Sequence, residues 1–404
     1  MKPSFSFMFY LAGLSMLGYL ATDMYLPAFS QIQDQLNTTP AYISASLSIF
    51  LAGFAFAQLI WGPLSDRFGR RVILIIGLSI FAISSLAVLW ITTATQFLVL
   101  RFIQSVGVCS AAVIWQALVI DRCRPNQTKR VFATIMPLVA LSPALAPLLG
   151  AWITEHLNWR DIFVVLFITT LLLLIPTFFL HNQRKTDANP VKQPPTRFLT
   201  ILRNPLFAGN VMIYATCSAA FFAWLTGSPY ILSEMGYSPK AVGLSYIPQT
   251  IAFLAGGFGC RTLLNYVKSE KLFPILLIIN TISVLALYLV AIYTDATLVT
   301  LLIPFCTMAM VNGASYPIAV ANALTPFARE SGKAAALQNA LQLGLCFLAS
   351  LAVSYFVNEP LIATATVMLS TVLFVFLGYA IHITARRKEQ RSIRDTREQQ
   401  HLPQ

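Results

Sequence analysis

Twelve runs of about twenty apolar residues, separated by short polar breaks, take up nearly all of this 404-residue chain. The hydrocarbon core of a bilayer is about 30 Å thick and takes roughly 20 apolar residues of helix to cross. Backbone polar groups inside it must be satisfied within the segment, so runs of this length are expected as helices. They read 5–30, 41–65, 72–93, 96–120, 131–154, 160–180, 205–229, 240–262, 272–293, 297–322, 333–357 and 361–384. The sequence thus predicts an all-α polytopic membrane protein. A mean hydropathy of +0.71 excludes a water-soluble globular domain of this size. The first run is too long for a cleaved signal peptide and has no small-residue cleavage site after it, so it is expected to stay as helix 1.

The formal charge of +12 could point to nucleic acid, but its placement decides otherwise. With the N-terminus inside, 24 of the 27 Lys and Arg residues fall in the N-terminal tail, the even-to-odd loops and the C-terminal tail. Only Arg160 and Lys240 lie in opposite loops, and Arg101 lies within a helix. This is the positive-inside pattern, so both termini are expected in the cytoplasm. Nucleic acid is not an expected partner. The six cysteines are scattered singly, with neither metal-ligand nor disulfide spacing.

The longest hydrophilic interruption, 181–204, contains "RKTDANPVKQPP" and reads as a flexible cytoplasmic linker. It divides the chain into a bundle at 1–180, a second at 205–384 and a disordered tail at 385–404. In both halves a proline (Pro27, Pro229) ends the first run, and a Ser/Thr-Pro helix start followed by "LAG" opens the second. Such a parallel repeat is expected to place a substrate site near the midplane, between the halves, as alternating access requires.

Between the second and third runs lies "GPLSDRFGRRVIL". Gly62 and Gly69 would allow close backbone approach, Pro63 would bend the chain, and Asp66, Arg67, Arg70 and Arg71 could pin helix ends as a cytoplasmic gate latch. This stretch resembles the loop signature of the major facilitator superfamily and stands where that family carries it. In the fourth run "LVLRFIQSVGVCSAAV" is similar to the family's R-x-x-Q-G-x-G motif, supplying Arg101, Gln104 and Gly107, with Ser105 in place of a glycine. "SPALAPLLGA" resembles its antiporter motif, keeping Pro147 and Gly150 but with Ser142, Ala146 and Ala151 at glycine positions. "TDMYLPA" and "NWRDIF" resemble the Bcr/CflA drug:proton antiporter branch. Two further segments, "AAFFAWLTGSPYILSEMGYSP" and "AAALQNALQLGLCFLAS", resemble purine nucleoside carriers of enteric inner membranes. The resemblance implies twelve transmembrane helices as two six-helix bundles around a central cavity, a monomer, and a place in the bacterial inner membrane.

Asp23 is the one acid deep inside any span, and Arg101 shares its level: about 10 Å and about 9 Å from the outer helix ends at 1.5 Å per residue. Each charge costs about 2.5–3.5 kcal/mol on insertion scales, so each is expected to have a partner or water. In the resembled fold both helices line the cavity, so a salt bridge, direct or through water, is expected. A proton on Asp23 would loosen that bridge and couple protonation to packing; the alternative is a fixed pair that neutralises two buried charges. Asp121 is expected to serve nearby arginines.

Intramembrane polar groups that could meet a substrate are Gln116, Asn210, Tyr214, Ser218, Asn312, Gln338, Asn339 and Gln342, with interhelical hydrogen bonding as the competing role. Tyr19, Tyr25, Trp115, Phe221, Phe222 and Trp224 could stack on a planar ligand, whereas Trp90, Trp152 and Trp159 read as interfacial anchors. The four histidines show no catalytic or metal spacing and no phosphate-binding loop is present, so an enzyme is not expected. The expectation is a carrier without cofactor, driven by the proton gradient. It would export small drug-like or aromatic compounds or, alternatively, move nucleosides or similar metabolites, with proton symport as a route.

Overall fold

The computed structural model describes residues 5–122, 125–180, 198–294, 296–356 and 359–400, excluding the side chains of 66, 120, 122, 125–130, 132–133, 136–137, 140, 328–332 and 389–400. Among the described residues twelve long helices follow one another: α1 Phe5–Asp23, α2 Pro40–Phe68, α3 Arg70–Ala87, α4 Ala94–Arg122, α5 Pro125–His156, α6 Trp159–Phe178, α7 Pro205–Glu234, α8 Pro239–Leu263, α9 Ser269–Tyr293, α10 Leu298–Leu324, α11 Ser331–Tyr355 and α12 Pro360–Gln400. All but α5 are long and apolar enough to cross a membrane among the described residues. No strand occurs among them.

Within the first six helices α1 packs on α4, α5 and α6, while α3 packs on α4 and α6 and α2 on α4. The last six repeat this six helices later: α7 packs on α10, α11 and α12, while α9 packs on α10 and α12 and α8 on α10. Small residues make the close crossings possible. A Cβ on Gly107 would lie 2.6 Å from the Phe81 nitrogen, and one on Gly313 would meet the Phe253 carbonyl, so α4–α3 and α10–α8 each cross at a glycine. Ile83, Ile282, Leu172 and Leu373 remain exposed, as lipid-facing side chains do.

The halves meet at α2–α11, at α5–α8 and where the extension of α1 meets α7 and α8. Ser48 bonds Ser350 at 2.7 Å, and Ser350 bonds Thr226 of α7 at 2.7 Å. Ser30 bonds Ser233 at 3.1 Å. Gly243 lets α8 approach the Pro147 carbonyl, 3.0 Å from where its Cβ would stand. All of these contacts lie toward the helix ends remote from the Lys/Arg-rich loops.

Several expectations are corrected. The turn after α2 is a single residue, Gly69, at φ 94° and ψ 147°, a region essentially reserved for glycine. Gly62 and Pro63 lie inside α2, and nothing stands within 4 Å of a Cβ on Gly62, so it makes no close approach. The linker is not irregular to its end: Phe198–Leu202 is helical, and Ile201 is buried against Phe207 and Val211. Its stretch 181–197 lies outside the described residues. The tail is helical as far as Gln400, because "RRKEQRSIRDTREQQ" is rich in helix formers and lacks Gly and Pro. Trp159 is fully buried between Phe97 and Phe163 rather than interfacial, while Trp90 and Trp152 are exposed.

Candidate functional site

The regular turn of α1 stops at Asp23, and a 3₁₀ turn, Leu26–Ala28, carries the chain into the short helix Phe29–Gln35. Pro27 in that turn cannot donate a backbone hydrogen bond. The break fits against α5: a Cβ on Gly150 would stand 1.6 Å from the Met24 carbonyl oxygen. It also frees the Ala21 carbonyl, which accepts a hydrogen bond from Nη2 of Arg101 at 3.0 Å.

Arg101, on α4, is fully buried. Its Nη1 donates to Oε1 of Gln104 at 2.9 Å, and Gln104 donates in turn to Ser85 of α3 at 3.1 Å. The guanidinium lies between two rings, 4.1 Å from the centre of Tyr25 and 4.3 Å from that of Phe50. Tyr25 is fixed by a 3.0 Å bond to Ser46 and by packing on Phe29, Phe97 and Phe163. The cation is therefore held by a carbonyl, an amide and two rings.

The expected salt bridge is not formed. Among the described residues Asp23 makes no ion pair and no hydrogen bond, though it is only 4% exposed and lies within electrostatic range of Arg101. Nε of Arg101 is buried without a hydrogen-bond partner. Arg101 instead takes its acceptors from helix 1's broken turn and its own helix. An unpaired carboxyl thus stands near a guanidinium with an unused donor.

Tyr19, one turn before Asp23, is 43% exposed and lies within electrostatic range of Tyr214 on α7. On the facing side Tyr214 packs edge-on against Tyr316 of α10 at 4.9 Å. Tyr316 accepts a hydrogen bond from Ser218 at 3.1 Å, and Gln342 of α11 donates to Ser218 at 3.1 Å. Three helices of the second half thus converge on one polar and aromatic group. Tyr316 was not singled out from the sequence, although it stands four residues after Asn312 and so on the same helix face.

Several other candidates turn out to be packing residues. Tyr25 and Trp224 are fully buried, Trp224 stacked on Phe305 at 4.6 Å, so neither ring offers a free face. Trp115 is buried in the core of the first half. Asn210 donates to the Leu206 carbonyl and to Nδ1 of His382, and Asn312 donates to the Cys217 carbonyl at 3.4 Å, so both tie helices together. Gln338 is buried with Oε1 unpartnered, Gln116 is exposed, and Phe222 is half-buried against Phe221. In the loop motif, Nε of Arg70 donates to Asp121 at 3.1 Å and Nη1 to Ser65, joining α2, α3 and α4. Arg67 lies over Phe68 at 5.4 Å, Arg71 is half-buried, and the Asp66 side chain is outside the described set. At the opening of α6, Asn158 and Asp161 form a capping box, and Trp159 and Arg160 both donate to Gln35.

Residues 11–350 match the model of the Major Facilitator Superfamily. Over 298 residues the chain is 30% identical to a bicyclomycin resistance protein homolog of Haemophilus influenzae, covering 72% of this chain and 74% of that one. It is 27% identical to multidrug resistance protein D of Escherichia coli over 346 residues, 83% and 85% of the two chains. In structure it resembles a bacterial homolog of the human lysosomal transporter Spinster in its inward-facing, unoccupied conformation. The TM-score is 0.71 at 13% identity, covering 94% of this chain and 96% of that one.

Proposed function

The chain belongs to the major facilitator superfamily, and from that premise we propose that it is a proton-coupled efflux antiporter of small drug-like or aromatic compounds, working by alternating access. It is a multi-pass membrane transporter and not an enzyme. Relatives named for bicyclomycin and multidrug resistance support export of such compounds. The observation that carries the reading is the unpaired Asp23 near the unspent Nε of Arg101. A buried carboxyl with no donor has charge and conformation coupled: ionised, it needs a partner, and Arg101 offers one. Loss of the proton pulls α1 toward α4; gain of it releases α1 to the arrangement described above.

The substrate face on this reading is Tyr19 on one side and Tyr214, Ser218, Tyr316 and Gln342 on the other. The nucleoside alternative leaned on a set of amides, of which Asn210 and Asn312 are spent on helix contacts, while Gln338, Asn339 and Gln342 of α11 remain. Contacts between halves at the end remote from the basic loops correspond to a transporter sealed outside, with both termini in the cytoplasm of a bacterial inner-membrane protein. The Arg70–Asp121 pair then holds the first half together on the cytoplasmic side, with Asp66, Arg67 and Arg71 completing a latch used when that side closes.

Cells lacking their own exporters are expected to accumulate less of an aromatic fluorescent dye when they express this chain, and a protonophore should abolish the difference. Accumulation equal to that of control cells across a panel of such dyes would refute drug export.

A further inference from the structure

A cavity of about 160 Å³ lies between the Lys/Arg-rich ends of α9, α10 and α12, away from the substrate face. Its walls include Ser269 and Glu270 at the start of α9, Asn322 near the end of α10, and His382, Arg386 and Arg387 on α12. Arg386 donates to Glu270 at 3.0 Å, so these two charges cancel. Arg387 has no ion pair among the described residues and leaves the cavity a net positive charge.

His382 is 5% exposed. Its Nδ1 accepts from Nδ2 of Asn210 at 2.8 Å, which places the proton of the neutral ring on Nε2. Nε2 has no hydrogen-bond partner among the described residues, and the side chain lines the cavity. Thus the free N–H of a buried histidine, a hydroxyl, an amide and an unpaired guanidinium line one space. That donor set suits a phosphate oxyanion.

The surroundings indicate where the phosphate comes from. Ile278, one turn beyond cavity-lining Pro274 on α9, is 53% exposed, and Leu285 two turns further is 43% exposed. On α12, Phe376, two turns from cavity-lining Ile383, is 49% exposed and Leu373 is 73% exposed. Apolar stripes of two membrane-spanning helices therefore lead away from the polar cavity, the layout of a headgroup site with acyl chains alongside. We propose that this cavity binds the phosphate of an anionic phospholipid headgroup, tethering α9 and α12 to the membrane surface. Through Asn210 and His382 the same site is joined to α7. This does not depend on Asp23 being the proton carrier.

The test uses the full chain, delipidated and offered phosphatidylglycerol, phosphatidylcholine or inorganic phosphate, with bound lipid read by native mass spectrometry and stability by Tm. Arg387→Glu is compared with Lys388→Glu, which changes the net charge equally one residue away from the lining. Wild type and Lys388→Glu are expected to retain phosphatidylglycerol over phosphatidylcholine and to gain Tm from it, while Arg387→Glu retains about fivefold less. Equal losses in both variants, or no preference for phosphatidylglycerol in the wild type, would overturn the site. Stabilisation by inorganic phosphate equal to that by the lipid, and lost in Arg387→Glu, would overturn the lipid as its occupant.

Discussion

Asp23→Asn abolishes pH-gradient-driven transport, bringing flux in proteoliposomes down to that of liposomes without protein, while the variant still inserts and is still stabilised by substrate. Asparagine matches the shape of a protonated aspartic acid but cannot release a proton. In the arrangement described, Asp23 forms no ion pair among the described residues, so its neutral analogue loses no contact there. What it loses is the other state, in which an ionised carboxylate would engage Arg101. The variant is therefore held on one side of the cycle, and population-shift reasoning requires that no gradient can move it. Flux equal to wild type in Asp23→Asn, at matched protein content, would remove the residue from the mechanism.

Gly150→Val is expected to prevent folding or to destabilise the chain by at least about 3 kcal/mol, the upper part of the usual overpacking range. A Cβ there would lie 1.6 Å from the Met24 carbonyl oxygen and 2.6 Å from its carbonyl carbon, so backbone rather than a flexible side chain must yield. The clash falls where α1 breaks, which means that it also displaces Asp23 and the Ala21 carbonyl that holds Arg101. Gly62→Ala is the matched control. Nothing stands within 4 Å of its Cβ, and the helix interior gains about 0.5–1 kcal/mol from replacing glycine by alanine. Equal Tm for the two variants would contradict the packing of α1 on α5.

The helices were legible because lipid enforces them: a run near twenty apolar residues with few charges has hardly any alternative in a bilayer. The family followed from motif residues such as Arg101, Gln104 and Gly107, whose spacing the structure explains as one bond to Ser85 and one close crossing on Phe81. Depth placed Asp23 and Arg101 at one level but could not choose between a pair and two separate groups, since depth does not report which acceptors a broken turn releases. The Ala21 carbonyl is such an acceptor, and only the Leu26–Ala28 turn makes it available.

Aromatic candidates failed for a related reason. Periodicity distinguishes faces of a helix, but α7 is buried nearly all round, so Trp224 and Tyr214 look alike in sequence although one stacks on Phe305 and the other faces Tyr316. Asn210 likewise gave no sign that its partner would be His382, 172 residues away. Gly62 was misread because its motif neighbour Gly69 alone takes up the turn, at positive φ.

Antiport by Asp23 makes a definite demand on where protons go. Purified protein is reconstituted in liposomes with an acidic lumen containing a pH indicator, and a transported aromatic dye is added outside. The expected result is accumulation of dye with a simultaneous rise of lumenal pH, both absent in Asp23→Asn. Dye accumulating while the lumenal pH stays constant, or substrate moving in the same direction as the proton, would contradict proton-coupled efflux.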